Sequence, residues 1–184
     1  AGPSGCDEAC GSTLEFDECG VCGGDGIADG ACDCDGNVAD CAGECGGTAT
    51  EDCAGVCGGS AENCPDWADD PGAYEFVATI SGAVILDEGV QLGEAGDLFA
   101  AFDGDGNVRG LSQPSQLLIP DFGPYEGTPV YEMTMRSNAA GDILSFKYYD
   151  ASKDEVLDIS QTYEFVINDI VGSVVEPVLY TTVF

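Results

Sequence analysis

From Tyr74 onward the chain alternates apolar and polar residues with a period of two. Tyr74, Phe76, Ala78 and Ile80 fall on one side of an extended segment, with Glu75, Val77 and Thr79 on the other. Tyr131, Met133 and Met135 alternate with Glu132, Thr134 and Arg136. Leu144, Phe146 and Tyr148 share a face, as do Tyr163, Phe165 and Ile167. Successive side chains of a strand point to opposite faces, so this pattern predicts strands half buried against a core. Leu98–Phe102 is apolar throughout, as expected of a strand covered on both faces. Asp, Asn and Gly punctuate these runs at residues 103–107, 138–141 and 150–154, where they predict turns. No segment carries four turns of helical periodicity. Seven to nine short strands in about 110 residues predict a mainly β fold, an antiparallel β-sandwich of immunoglobulin-like or jelly-roll-like type.

The first 64 residues lack this alternation. Residues 40–47 read Asp-Cys-Ala-Gly-Glu-Cys-Gly-Gly and residues 52–59 repeat the phrase with Val56 in place of Glu44. A looser copy, Asp-Glu-Cys-Gly-Val-Cys-Gly-Gly, occupies residues 17–24. A repeat this short holds too few apolar side chains to fold by burial, so covalent or ionic cross-links must shape it. All 11 cysteines lie between Cys6 and Cys64, with 15 of the 27 glycines, 14 of the 35 acidic residues and no Lys or Arg. The expected organisation is a disulfide-rich extended N-terminal arm at 1–64, a Pro/Asp/Gly-rich linker at 65–72 and the β-sandwich at 73–184. The start of the chain, without Met or an apolar leader, suggests a processed secreted protein.

Cysteines at this density imply disulfides in an oxidising compartment or metal thiolates in a reducing one. The chain has no His and a single CxxC (Cys19, Cys22), whereas zinc modules show matched knuckles. Disulfides are therefore expected. Closing the longer gaps pairs Cys10 with Cys19, Cys22 with Cys32, Cys34 with Cys41, Cys45 with Cys53 and Cys57 with Cys64. Bridges across the short gaps fit disulfide geometry poorly, although spacing alone does not fix connectivity. Cys6 is left over as a candidate inter-subunit thiol.

Asp33, Asp35 and Asn37 place oxygen ligands at alternate positions, with Asp40 and Glu44 following. That layout approaches the ligand spacing of an EF-hand loop, but Val38 replaces its Gly and the flanks are not helical. The expectation is a Ca²⁺-binding loop of another kind, relieving repulsion among carboxylates that have no base nearby. Asp103, Asp105 and Asn107 form a second candidate. The same residue types also build ordinary turns, so both readings stand.

Residues 19–26, Cys-Gly-Val-Cys-Gly-Gly-Asp-Gly, resemble a structural phrase in the cysteine-rich region of ADAMTS-type proteases; without His no HExxH zinc site can exist. Residues 32–37, Cys-Asp-Cys-Asp-Gly-Asn, with the Cys-Gly-Gly repeats, are similar to repeats in large secreted surface proteins of aquatic bacteria. The acidic loops resemble thrombospondin type 3 calcium repeats. Gly96-Asp-Leu-Phe-Ala-Ala-Phe-Asp with Val108-Arg-Gly resembles β-sandwich modules of secreted bacterial proteins. These resemblances imply extracellular structural use and name no ligand.

A formal net charge of −31 argues against nucleic acid, since a binder needs basic side chains to displace counterions, and against an anionic membrane surface. No apolar run reaches the roughly 20 residues of a membrane span. Without His the usual base of a serine or cysteine triad is missing, and no phosphate-cradling or nucleophile-elbow motif is present. No enzyme is expected. The uncharged tail at 178–184 is either the last strand of the fold or an edge lent to a neighbour. The first expectation is a self-associating subunit of an extracellular filament or surface appendage. The second is a carbohydrate-binding or adhesive module, with Trp67, Tyr125, Tyr148 and Tyr149 as a glycan platform.

Overall fold

The computed structural model describes residues 5–113 and 125–183, and the chain divides into two units, Ala1–Glu51 and Asp52–Phe184. The compositional boundary after Cys64 is not where the units part. The last Cys-Gly-Gly repeat belongs with the strands.

The first unit is built from tight hairpins, not from a core. Two of them close at the single bridges Phe16↔Cys22 and Ala39↔Cys45. Backbone bonds brace the necks: Gly23 N–H donates to Glu15 O at 2.8 Å and Gly46 N–H to Val38 O at 3.0 Å. On the far side of each neck a further cysteine is seated. Cys6 N–H donates to Leu14 O at 2.9 Å, and Cys32 N–H to Asn37 O at 2.7 Å. The middle segment therefore lies between Cys6 and Cys22 in one hairpin, and between Cys32 and Cys45 in the other.

That arrangement decides the disulfides. Cys6 pairs with Cys22, Cys19 with Cys34 and Cys32 with Cys45, at Cα separations of 5.5, 5.4 and 5.7 Å. In the second unit Cys53 pairs with Cys64 at 5.8 Å. Cys41 and Cys57 are disulfide-bonded as well. Oxidation is thus as the sequence suggested, but the pairings expected from the longer gaps (Cys10–Cys19, Cys22–Cys32, Cys34–Cys41, Cys45–Cys53, Cys57–Cys64) are overturned. Cys6 is bonded, and Cys10 is the exposed free thiol. Spacing along the chain could not show which cysteine a hairpin neck would bring alongside.

The second unit is mainly β. Its strands are β1 (Phe76–Asp87), β2 (Val90–Leu92), β3 (Leu98–Phe102), β4 (Val108–Ser112), β5 (Tyr131–Ser137), β6 (Ile143–Asp150), β7 (Glu155–Glu164), β8 (Ile170–Val171) and β9 (Val178–Val183). Among the described residues they form one nine-stranded curled sheet in the order β2-β1-β9-β7-β6-β3-β4, with β5 and β8 also paired to β1. The period-two faces point where expected: Ala78 and Ile80, Tyr131, Met133 and Met135, and Leu144, Phe146 and Tyr148 are all buried. Curling brings the inner faces together. Phe99 stacks on Phe146 at 5.4 Å, meets Tyr131 edge-on at 5.8 Å and touches Tyr180 at 5.1 Å.

β1 changes partners at Ser81-Gly82, where its register with β5 shifts between Ile80 and Ala83. Before the shift β8 runs alongside it in parallel, and after it β9 does. Gly82 is required there, since a Cβ would lie 2.4 Å from the Ser173 carbonyl. The tail is a strand of its own chain: β9 pairs with β1 on one side and β7 on the other. Within this chain it is not a free edge; Phe184 lies outside the described residues. Helix is limited to a one-turn 3₁₀ segment at Pro71–Ala73 among the described residues. None is long and apolar enough to cross a membrane.

Candidate functional site

The first Asp of each repeat is an internal brace. Asp17 Oδ1 accepts from Cys19 N–H at 3.0 Å and Val21 N–H at 2.7 Å, and its Oδ2 accepts from Gly26 N–H at 2.9 Å. Asp40 binds the amides of Ala42, Glu44 and Ala49 at 2.9, 3.0 and 3.0 Å. Asp52 binds those of Ala54, Val56 and Ala61 at 3.0, 2.9 and 3.1 Å. The spacing of two, four and nine residues recurs in all three. Amides on a carboxylate favour its ionised form. Accordingly the Val21 amide foremost holds Asp17 below the usual carboxylate range, and those of Glu44 and Val56 do the same for Asp40 and Asp52.

The candidate calcium loops have the same economy. Asp33 Oδ1 accepts from the amides of Asp35 and Asn37 at 3.0 and 2.9 Å, and its Oδ2 from Asn37 Nδ2 at 2.6 Å. Asp103 repeats this with Asp105 and Asn107, each contact at 2.9 Å. Gly36 and Gly106 both take positive φ, 80° and 84°, so Asp-x-Asp-Gly-Asn folds identically at two unrelated places. Arg109 adds an ion pair to Asp103 at 2.9 Å and stands 4.2 Å from the Tyr74 ring centroid. Burial pushes Asp103 up, but Asn107 and Arg109 outweigh it and bring its pKa to about 2. Asp40 and Glu44 are not gathered with Asp33, Asp35 and Asn37 into one ligand set; Asp40 braces the next hairpin. Among the described residues no three carboxylates or thiols converge to hold a metal. Both loops carry the hydrogen bonds of side-chain-capped turns.

Within the second unit, the third repeat is seated on the strands. Asp154 accepts the backbone N–H groups of Glu62 and Asn63, both at 3.1 Å, with Asn63 Nδ2 at 2.7 Å and Tyr149 O–H at 2.7 Å. Tyr149 and Asn63 together depress Asp154 to about 2. Ala61 is buried. Gly96, at φ 91°, admits Val56 so closely that a Cβ there would lie 2.7 Å from Val56 Cγ2.

Beside this seat lies a polar cluster that sequence reading missed. Asp97 and Asp150 are 2% and 4% exposed. Asp97 Oδ2 accepts from Glu94 N–H and Tyr148 O–H, and its Oδ1 from Ala151 N–H at 2.8 Å. Tyr148 also meets Tyr131 at 3.0 Å between hydroxyls. Burial raises the Asp97 pKa. Burial raises Asp150 too, yet its bonds to Ser152 and Lys153 win and leave it lowered. Two carboxylates pushed apart beside a cleft of about 250 Å³, lined by both together with Glu94, Ser152 and Lys153, are what an acid/base pair needs. Here, however, three donors take up both Asp97 oxygens, which makes the cluster a structural brace. Its one sequence signal is the acid immediately before the wholly apolar Leu98–Phe102.

The proposed glycan platform is not assembled. Tyr148 and Tyr149 are fully buried, and Trp67 packs edge-on against Phe102 at 5.2 Å. The first hairpin exposes large apolar side chains, Leu14, Phe16 and Val21 being 46%, 63% and 55% exposed. An open cleft of about 550 Å³ is lined there by Gly5, Cys6 and Ser12 to Phe16. No family model, curated protein or solved structure matches the chain.

Proposed function

We propose that the chain is a structural subunit of an extracellular bacterial filament or surface appendage, with further copies of itself as partner. In this reading the curled sheet acts as a two-layer sandwich body and the cysteine-rich residues as the assembling arm. The observation that carries it is the first hairpin: large apolar side chains held outward on a scaffold fixed by disulfides and Asp braces. Leu14 and Phe16 line one open cleft, and exposed apolar side chains on so rigid a support suit a contact site. Disulfides of this number are stable in an oxidising, extracellular setting. Ca²⁺ enters the proposal as a counter-ion to a net charge of −31, not as the ligand that shapes the loops. The glycan-binding alternative loses its platform to the core, and no enzymatic role is proposed.

Electron micrographs of the purified chain should show linear assemblies that Phe16→Asp disperses while the disulfides and the β signal in circular dichroism persist. Dispersed monomers for the unaltered chain across a wide concentration range would overturn the proposal.

A further inference from the structure

Three disulfides of the first unit overlap in sequence. The Cys6–Cys22 loop encloses Cys19, and the Cys19–Cys34 loop encloses both Cys22 and Cys32. Cys34 in turn lies inside the Cys32–Cys45 loop. A covalent path from Cys6 to Cys45 can therefore cross to Cys22, step back to Cys19, cross to Cys34, step back to Cys32 and cross to Cys45. It uses three bridges and only five peptide steps, three between Cys22 and Cys19 and two between Cys34 and Cys32.

The lengths follow from the geometry. The bridges span 5.5, 5.4 and 5.7 Å between Cα atoms. Five residues add at most about 18 Å, giving a limit of about 35 Å. The 39 peptide steps from Cys6 to Cys45 would otherwise stretch to about 140 Å. The pairing across the longer gaps (Cys10–Cys19, Cys22–Cys32 and Cys34–Cys41) would leave thirteen peptide steps in the path, and a limit of about 65 Å. The observed pairing therefore holds the reach well below that value, and its overlap leaves no stretch between Cys6 and Cys45 outside a loop.

We propose that the first unit is an inextensible tether for load passing along the chain. Every noncovalent bond within it can break, and the separation of Cys6 from Cys45 still cannot exceed the disulfide path. A second consequence follows from the same overlap. Any peptide bond cut between Cys6 and Cys45 leaves the two fragments joined by at least one disulfide. The ladder thus resists both stretching and nicking without needing a core. This extends the structural reading above by naming the load that the arm would carry, but its test does not depend on assembly.

The full chain is pulled in single-molecule force spectroscopy through handles at Ala1 and Thr48. Under oxidising conditions the extension between handles should stop at about 65 Å, and reduction should add about 100 Å. An oxidised limit of about 95 Å or more, as the longer-gap pairing would give, overturns the proposal, as does an extension unchanged by reduction. Digestion with a Glu-specific protease supplies an independent readout. Peptides flanking Glu44 should stay joined without reductant and separate with it; separation without reductant overturns the ladder. A chain that remains dispersed in micrographs yet shows the short limit loses the filament reading and keeps the tether.

Discussion

Asn63 is held by Asp154 through both of its amides, the backbone N–H at 3.1 Å and the side-chain Nδ2 at 2.7 Å. One carboxylate in the β6–β7 turn thereby fastens the end of the third repeat. Asp154 sits at φ 54°, a left-handed conformation that a non-Gly residue keeps only when its surroundings enforce it. Asp154→Ala should free the amides of Glu62 and Asn63, seen as faster hydrogen exchange at those two residues with the strand core still protected. Asp154→Gly relieves the backbone but not the clamp and should show the same local exchange. The pH dependence has a fixed sign. The folded pKa, about 2, lies below the ordinary carboxylate value of 3.8. The clamp should therefore hold at neutral pH and weaken as pH falls from about 4 toward 2. Protection at Asn63 that is unchanged at pH 2.5 would contradict this role.

Asp97 behaves in the opposite sense. Burial raises its folded pKa above the unfolded value, so its contribution is fullest below about pH 4 and declines as pH rises through the folded pKa. Asp97→Asn should remove that decline from denaturant midpoints measured between pH 4 and 7. The amide cannot satisfy all three donors of Glu94, Ala151 and Tyr148, so the variant should also lose roughly 1–3 kcal/mol at low pH. A midpoint profile with the same slope in both proteins would assign the pH dependence elsewhere.

Gly82, the one glycine of β1, should not tolerate a side chain. A methyl group there meets backbone atoms of Ser173 at 2.4 Å, and backbone cannot swing aside as a flexible side chain does. Gly82→Ala should cost about 1–3 kcal/mol and lower Tm by roughly 2–4 °C for each kcal/mol. Gly104→Ala, in a turn where a Cβ meets nothing within 4 Å, should leave Tm within about 1 °C. Equal melting of the two variants would refute the close approach.

The strands were legible because burial leaves a periodic trace. Tyr131, Met133 and Met135 had to face one way, and they do. Tyr163, Phe165 and Ile167 were expected on one strand, yet β7 ends at Glu164; Phe165 is buried just beyond it, where apolarity alone cannot tell strand from turn. The shift at Ser81-Gly82 left only a Gly as its sign. The cysteine partners were illegible, since they depend on which backbone segments lie side by side. The braces did have a signal. Asp opens every repeat three residues before a Gly, at Asp17, Asp40 and Asp52, which is the pattern of a side-chain-capped turn. The calcium expectation at Asp33 and Asp40 rests on charge, and charge alone does not show the amides directed at those two carboxylates.

That difference sets chelation against reduction. If Ca²⁺ shaped the acidic loops, chelator would expose the amides of Asp35 and Asn37; if the braces do, it should leave their exchange unchanged. Reduction should instead unravel the first unit, because hairpins with so little buried apolar surface cannot repay the ordering of their backbone. Asp40→Ala isolates the brace from the disulfides: it strips acceptors from Ala42, Glu44 and Ala49 while leaving every cysteine in place. Oxidative refolding of this variant should give scrambled pairings, read by mass spectrometry, because the turn that sets Cys45 opposite Ala39 is no longer held. Asp35→Ala removes a carboxylate that accepts none of these bonds and should refold with native pairings. Native pairing in Asp40→Ala would refute the part of the brace in folding, and loss of loop protection on chelation alone would show that the carboxylates serve a cation.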